Sequence, residues 1–173
     1  MSYWPYDSAE DSPEDYARMR EEDRAMLIAA DARGSTKRTA ESSLLNPGFH
    51  PAYALTQFKV EAQPAAWPQA FVIITAWATT GENWTLERNQ TADAALKLRL
   101  DRLGVWMHRI TGQTPDGTHA EPGWAVTVDL TQGRQLGREF LQDAIYEVSG
   151  GVLWVVSCHD ERAATLGPFA ERI

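Results

Sequence analysis

The chain has 173 residues, 43% of them apolar and 23% charged, and a net charge of −8 from 16 basic and 24 acidic side chains. That length and composition suit one globular domain with an appendage. The acidic balance disfavours wholesale wrapping of nucleic acid, which needs cationic surface to displace counterions, and it permits an acidic face that meets a basic partner.

In chain order, residues 1–11 are acidic and aromatic together (Tyr3, Trp4, Tyr6) and read as an irregular arm. They lack the basic start and apolar stretch of a signal peptide. No apolar run approaches the roughly 18 residues of a membrane-spanning helix. With Cys158 as the single cysteine, an internal disulfide is excluded, and a cytoplasmic location is expected. Ser12-Pro13-Glu14-Asp15 starts a helix: Ser12 caps, Pro13 suits the first helical position, and the acids face the positive end of the dipole. The helix is predicted over 12–33 and stops at Gly34. Tyr16, Met19, Met26, Leu27 and Ala30 give it a narrow apolar stripe, broken at Asp23. Such a stripe docks on the main body or on a partner.

Residues 35–50 read as a connector, 51–60 as a short helix or extended segment, and 62–68 as a loop with two prolines. The unbroken apolar run Phe71-Val72-Ile73-Ile74-Thr75-Ala76-Trp77 predicts a central strand. A helix follows over 86–103, with Leu96, Leu100 and Leu103 on its buried face, and Gly104 ends it. Strands are predicted over 105–110 and 123–130, around the turn Thr114-Pro115-Asp116-Gly117. A second helix covers 131–141, with Leu136, Phe140 and Leu141 as core. Strands over 144–148 and 152–157 make a hairpin around Ser149-Gly150-Gly151, and the tail beyond Cys158 reads as short helix or coil. The expected fold is α+β: a two-layer ferredoxin-like sandwich, β-α-β-β-α-β-β, with an added N-terminal helix. Residues 1–60 form the acidic arm, helix and connector, and residues 61–173 the core domain.

Four stretches carry a resemblance to a known family. They are Ile74-Thr75-Ala76-Trp77; Asn89 opening a Leu-rich helix that ends Leu103-Gly104; Glu121-Pro122-Gly123-Trp124; and Leu136-Gly137-Arg138 through Gln142-Asp143-Ala144-Ile145-Tyr146. Over residues 71 to about 156 the chain resembles the bacterial family catalogued as domain of unknown function 3293. The resemblance implies a fold and a candidate site, but no reaction. One departure stands out: Ala78-Thr79 replaces the Asn-Pro that commonly follows the family's Thr-Ala-aromatic triplet.

No metal set emerges from His50, His108, His119 and His159, since no pair has ligand spacing on one helix. The cluster His159-Asp160-Glu161 reads as a solvated strand exit. Cys158 lies at a strand end, where a lone cysteine is more often packing than nucleophile. Nucleophile elbow, Walker loop and dinucleotide fingerprint are all absent, so no cofactor is expected. The set that can converge at one sheet edge is Thr75, Asn89, Asp93, Glu121, Gln142 and Asp143. Asn89 and Asp93 are four apart and share a helix face. Such a cluster binds a small polar ligand, or performs acid–base chemistry if a carboxylate is desolvated. The local alternative is that Asn89 caps or orients its helix, Glu121 and Gln142 bond loop backbone, and Asp143 is exposed.

Seven Trp invite an aromatic-surface reading, but Lys and Arg do not interleave with Trp77, Trp106, Trp124 and Trp154, so core or interface is favoured over base stacking. The function expected first is non-enzymatic binding or regulation through a protein partner, as in inhibitors, immunity proteins and phage antidefence proteins. Trp4, Tyr6, Tyr16, Met19 and Met26 are its contact candidates. The alternative is a small-ligand binder or enzyme at the Thr75, Asn89, Glu121 and Gln142 edge. Single-stranded nucleic-acid binding is the third reading, and it requires a basic strip from Arg88, Lys97, Arg99 and Arg102.

Overall fold

Phe71, Val72, Ile73 and Ile74 are all buried in the computed structural model, which describes residues 48–79 and 81–173. Successive side chains of a strand point to opposite faces, so a run buried at every position needs cover on both. Its strand, β2 (Ala70–Thr75), accordingly holds the middle of a seven-stranded sheet. The arm and the helix expected over 12–33, with Trp4, Tyr6, Tyr16, Met19 and Met26, lie outside the described residues.

The other elements are α1 (Ala52–Leu55), β1 (Gln57–Lys59), α2 (Leu86–Asp101), β3 (Met107–Gln113), β4 (Ala120–Val126), α3 (Leu130–Glu139), β5 (Ala144–Ser149), β6 (Val152–Ser157) and β7 (Ala163–Pro168), then a 3-10 turn at Phe169–Glu171. Strand order is β1-β3-β4-β2-β5-β6-β7, with every pairing antiparallel. Helix α2 carries the chain from β2 to β3 past the intervening β4, and α3 carries it from β4 to β5 past β2. The expected α+β architecture is borne out, and β1 and β7 widen the sheet.

Helices α2 and α3 each begin at a side-chain cap: Thr85 Oγ1 accepts from Arg88 N (3.2 Å) and Asp129 Oδ1 from Gln132 N (2.8 Å). Their inner faces cover one side of the sheet, where Val72 and Ile74 meet Ala92, Leu96, Leu100, Leu136 and Phe140. Among the described residues neither α2 nor α3 covers the other side, where only the short α1 sets Tyr53 against Tyr146. There the sheet curls so that its own residues and ends bury Phe58, Phe71, Ile73, Ile110, Leu153 and Phe169. The two edges meet: Phe58 N donates to Arg172 O, and Arg172 Nη1 donates to Ala54 O (2.7 Å). Trp67 stacks on Phe71 at 5.2 Å between centroids and meets Phe169 edge-on.

Two sequence expectations change. The β3–β4 hairpin runs closer to its turn than the sequence suggested, with Gln113 opposite Ala120. Pro122 argues against strand, but β2 pairs with β4 only from Gly123 onward. The missing N–H at Pro122 therefore faces no partner. The tail is not merely helix or coil: β7 pairs along β6 before the 3-10 turn.

Candidate functional site

The end of the sheet where β2 and β3 finish and β4 and β5 begin is built around one loop. Thr75 Oγ1 donates to Pro122 O (2.9 Å) and accepts from Trp77 N (3.1 Å). Asn89, buried in the first turns of α2, accepts from Ala78 N through Oδ1 (2.9 Å). Gln142, also buried, donates through Nε2 to Trp77 O (2.9 Å) and Phe140 O (3.0 Å). Three side chains, from β2, α2 and the loop between α3 and β5, thus pin residues 77 and 78 and supply partners to their backbone groups. Gln142 reaches the loop because α3 ends in a left-handed residue, Leu141 (φ 56°), and Gln142 N closes on Gly137 O (2.8 Å).

Beside this loop opens a pocket of about 540 Å³. Its apolar wall comes from the inside of the curl: Phe58, Ile73, Ile110 and Tyr146. The Tyr146 hydroxyl lies 2.7 Å from Thr56 Oγ1 and 3.3 Å from Tyr53 O, with the proton donated by the tyrosine. Burial pushes that phenol well above its usual value, so it stays protonated. The polar rim holds Glu121 and His119, two residues apart at the start of β4, with His119 Nε2 2.8 Å from Glu121 Oε1. Their side chains are 29% and 65% exposed, so the carboxylate is the more enclosed partner. Thr79, also in the lining, has a buried Oγ1 with no hydrogen-bond partner among the described residues.

Of the six site residues read from the sequence, Thr75, Asn89, Glu121 and Gln142 line this pocket together. Asp93 sits one turn further along α2 and faces the sheet. It accepts from Arg109 Nη1 (2.7 Å) and Trp124 Nε1 (3.2 Å), and the Arg109 guanidinium lies 4.7 Å from the Trp124 ring centroid. Asp143 points to solvent and lies 3.8 Å from His159 Nε2. The local reading of Gln142 holds, since it bonds loop backbone. Asn89 also bonds the loop rather than its own helix.

Sequence reasoning missed His119, Tyr53, Thr56 and Tyr146. The alternation of His119 and Glu121 was a usable signal had β4 been started near residue 120. The Tyr146–Thr56 contact spans 90 residues and left no local trace. Among the described residues no three His, Cys, Asp or Glu side chains cluster as a metal site, and no helix is long and apolar enough to cross a membrane.

Fold and site together define an α+β protein with a curled antiparallel sheet, α2 and α3 on one face and a pocket at one end. Within that class, residues 74–145 match the family described as "Protein of unknown function (DUF3293)", which bears out the resemblance read from the four motifs. No curated protein and no solved structure matches the chain.

Proposed function

We propose that this protein binds a small amphipathic molecule in the pocket beside the 76–79 loop. The observation that carries the reading is the convergence of Thr75, Asn89, Glu121 and Gln142 on one concavity of about 540 Å³ with an aromatic and aliphatic wall. A site of this size, largely apolar with a few placed polar groups, has the general form of a small-molecule site. Three of the four side chains act by holding the loop, while Glu121 offers an oxygen to an occupant. The order β3-β4-β2-β5 with two helical crossovers supports reading these inner strands as a ferredoxin-like unit, which β1, β6 and β7 extend.

The test is a thermal-shift and tryptophan-fluorescence screen of small amphiphiles on the full chain. A ligand that binds only the folded state at 100 times its Kd stabilises by about 2.7 kcal/mol. The blocking variant is Gly112→Leu: a Cβ at Gly112 lies 3.4 Å from Thr56 Cγ2 and 3.8 Å from Phe58 Cε1, in ordinary contact, so the added bulk enters the lining. Saturable binding lost in Gly112→Leu is expected. Absence of any stabilising compound, or binding indifferent to Gly112→Leu, would sink the reading.

The net charge of −8 supports a second proposal, contact with a basic protein partner through the acidic arm. A pull-down with the full chain and with a chain lacking residues 1–47 tests it. Recovery of the same proteins by both chains counts against it. The basic strip required for nucleic acid has little charge to spare, since Lys97 pairs with Asp101 (2.8 Å) and Arg99 with Glu139 (3.3 Å).

A further inference from the structure

We infer that the pocket's ligand is an organic cation, an ammonium group carried on an apolar body; this rests on the small-molecule reading of the pocket. The first observation is the sign of the lining. Among the described residues no Lys or Arg lines the pocket, whereas Glu82 and Glu121 do. An anionic ligand such as a phosphate or carboxylate would meet two carboxylates and no fixed cation. It would lose its hydration without an opposite charge to replace it.

The second observation is an unengaged aromatic face. Trp77 lines the pocket, half-buried, and its indole makes no ring contact, cation contact or hydrogen bond with any described residue. By contrast Trp84, also in the lining, carries the Arg88 guanidinium 3.9 Å from its centroid, and its Nε1 donates to Glu82 Oε2 (2.7 Å). Trp84 is thus committed to Arg88 through its ring and to Glu82 through its Nε1, and Trp77 is the ring left for an occupant. Indole is the strongest cation–π acceptor among the side chains.

The third observation is the state of Glu121. Its Oε1 engages His119, while Oε2 has no hydrogen bond among the described residues. A ligand ammonium placed at Oε2 gains a charge-assisted hydrogen bond in a partly enclosed site, and Phe58 and Ile110 in the same lining offer apolar surface for its tail. The net charge of −8 raises the local concentration of cations at the mouth.

Three probes of one shape separate the possibilities on the full chain at physiological salt: phenethylamine, 2-phenylethanol and 3-phenylpropionate, titrated by calorimetry and by tryptophan quenching. The amine is expected to bind about tenfold or more tightly than the alcohol, the range of a charge-assisted hydrogen bond, and the carboxylate most weakly. Glu121→Gln should bring the amine down to the alcohol's affinity and leave the alcohol unchanged. Equal affinities for the three, or a preference for the carboxylate, would overturn the cation assignment. The pocket itself would stand if that binding disappears in Gly112→Leu. Failure of all three probes to saturate would bring down the pocket reading and this inference with it. The comparison among probes needs no variant, so it decides even if Glu121→Gln folds poorly.

Discussion

Asn89 shows how much of the site depends on single hydrogen bonds. Its carbonyl oxygen is the partner of the Ala78 amide, and the asparagine itself is buried. Asn89→Ala leaves that N–H unpaired and is expected to destabilise the chain by about 1–3 kcal/mol. Asn89→Asp keeps an acceptor and should lose less. Urea denaturation of the two variants checks this, and equal losses would mean that the oxygen is not what matters. Cys158 is the second residue whose surroundings set its chemistry. Burial pushes its thiol up to about 12, so it should resist Ellman's reagent at pH 8 until the chain unfolds. The linkage sign follows: the unfolded thiol ionises from about 8.5, while the folded one stays protonated to about 12. This contribution to stability is complete below the unfolded value and is lost as pH rises between the two. Melts over pH 8–10 should show the decline, and Cys158→Ala should flatten it. A variant with the same slope as the parent would show that other groups cause the decline.

Helix α3 illustrates a conflict between local propensity and packing. It has ten residues and includes Gly133 and Gly137, each costing roughly 1 kcal/mol against Ala in a free helix. The two are four apart and lie on the face turned to the sheet. A Cβ at Gly133 would come within 3.0 Å of Val72 Cγ1, and one at Gly137 would collide with Cys158 Sγ. The missing side chains let the helix backbone sit close over β2 and β5. Gly137→Ala is therefore expected to destabilise by about 1–3 kcal/mol, opposite in sign to the propensity change. In a double-mutant cycle with Cys158→Ala the penalty should shrink, because the smaller residue vacates the space. Additive losses in denaturant titrations would show that the clash is relieved elsewhere.

At the scale of the whole molecule, the curl is fastened by the C-terminus. Arg172 donates through Nη1 to Ala54 O (2.7 Å) and Thr56 O (3.3 Å) and through Nη2 to Leu166 O (3.1 Å), bridging β1's approach to β7. Thr56 is also the partner of Tyr146 in the pocket wall. Arg172→Ala should cost about 1.5–3 kcal/mol, as for hydrogen bonds made by a charged group, and should speed amide exchange at Phe58. Hydrogen-exchange mass spectrometry reads both ends of the clasp. Unchanged protection over residues 57–59 would show that β1 is held by β3 alone.

Periodicity and punctuation in the chain determined the elements that carry their own signals. The apolar run 71–74 announced a strand buried on both faces, and Gly104 (φ 62°) and Gly117 (φ 70°) marked turns that need a left-handed residue. The polar edge Thr75, Asn89, Glu121 and Gln142 was legible because each residue falls at an element's end, and strand and helix ends gather at the ends of a sheet. The tertiary structure alone decided the rest. Residues 163–168, with Ala-Ala-Thr-Leu-Gly-Pro, have no alternation of their own and become strand because β6 offers a free edge. Asp93 and Asp143 left the cluster because Arg109 and solvent were the better partners for their charges. The pocket wall required β1 and the C-terminus to meet across the sheet. A contact such as Phe58 N to Arg172 O depends on how far the whole sheet curls, a quantity summed over every strand and encoded in no local stretch of sequence.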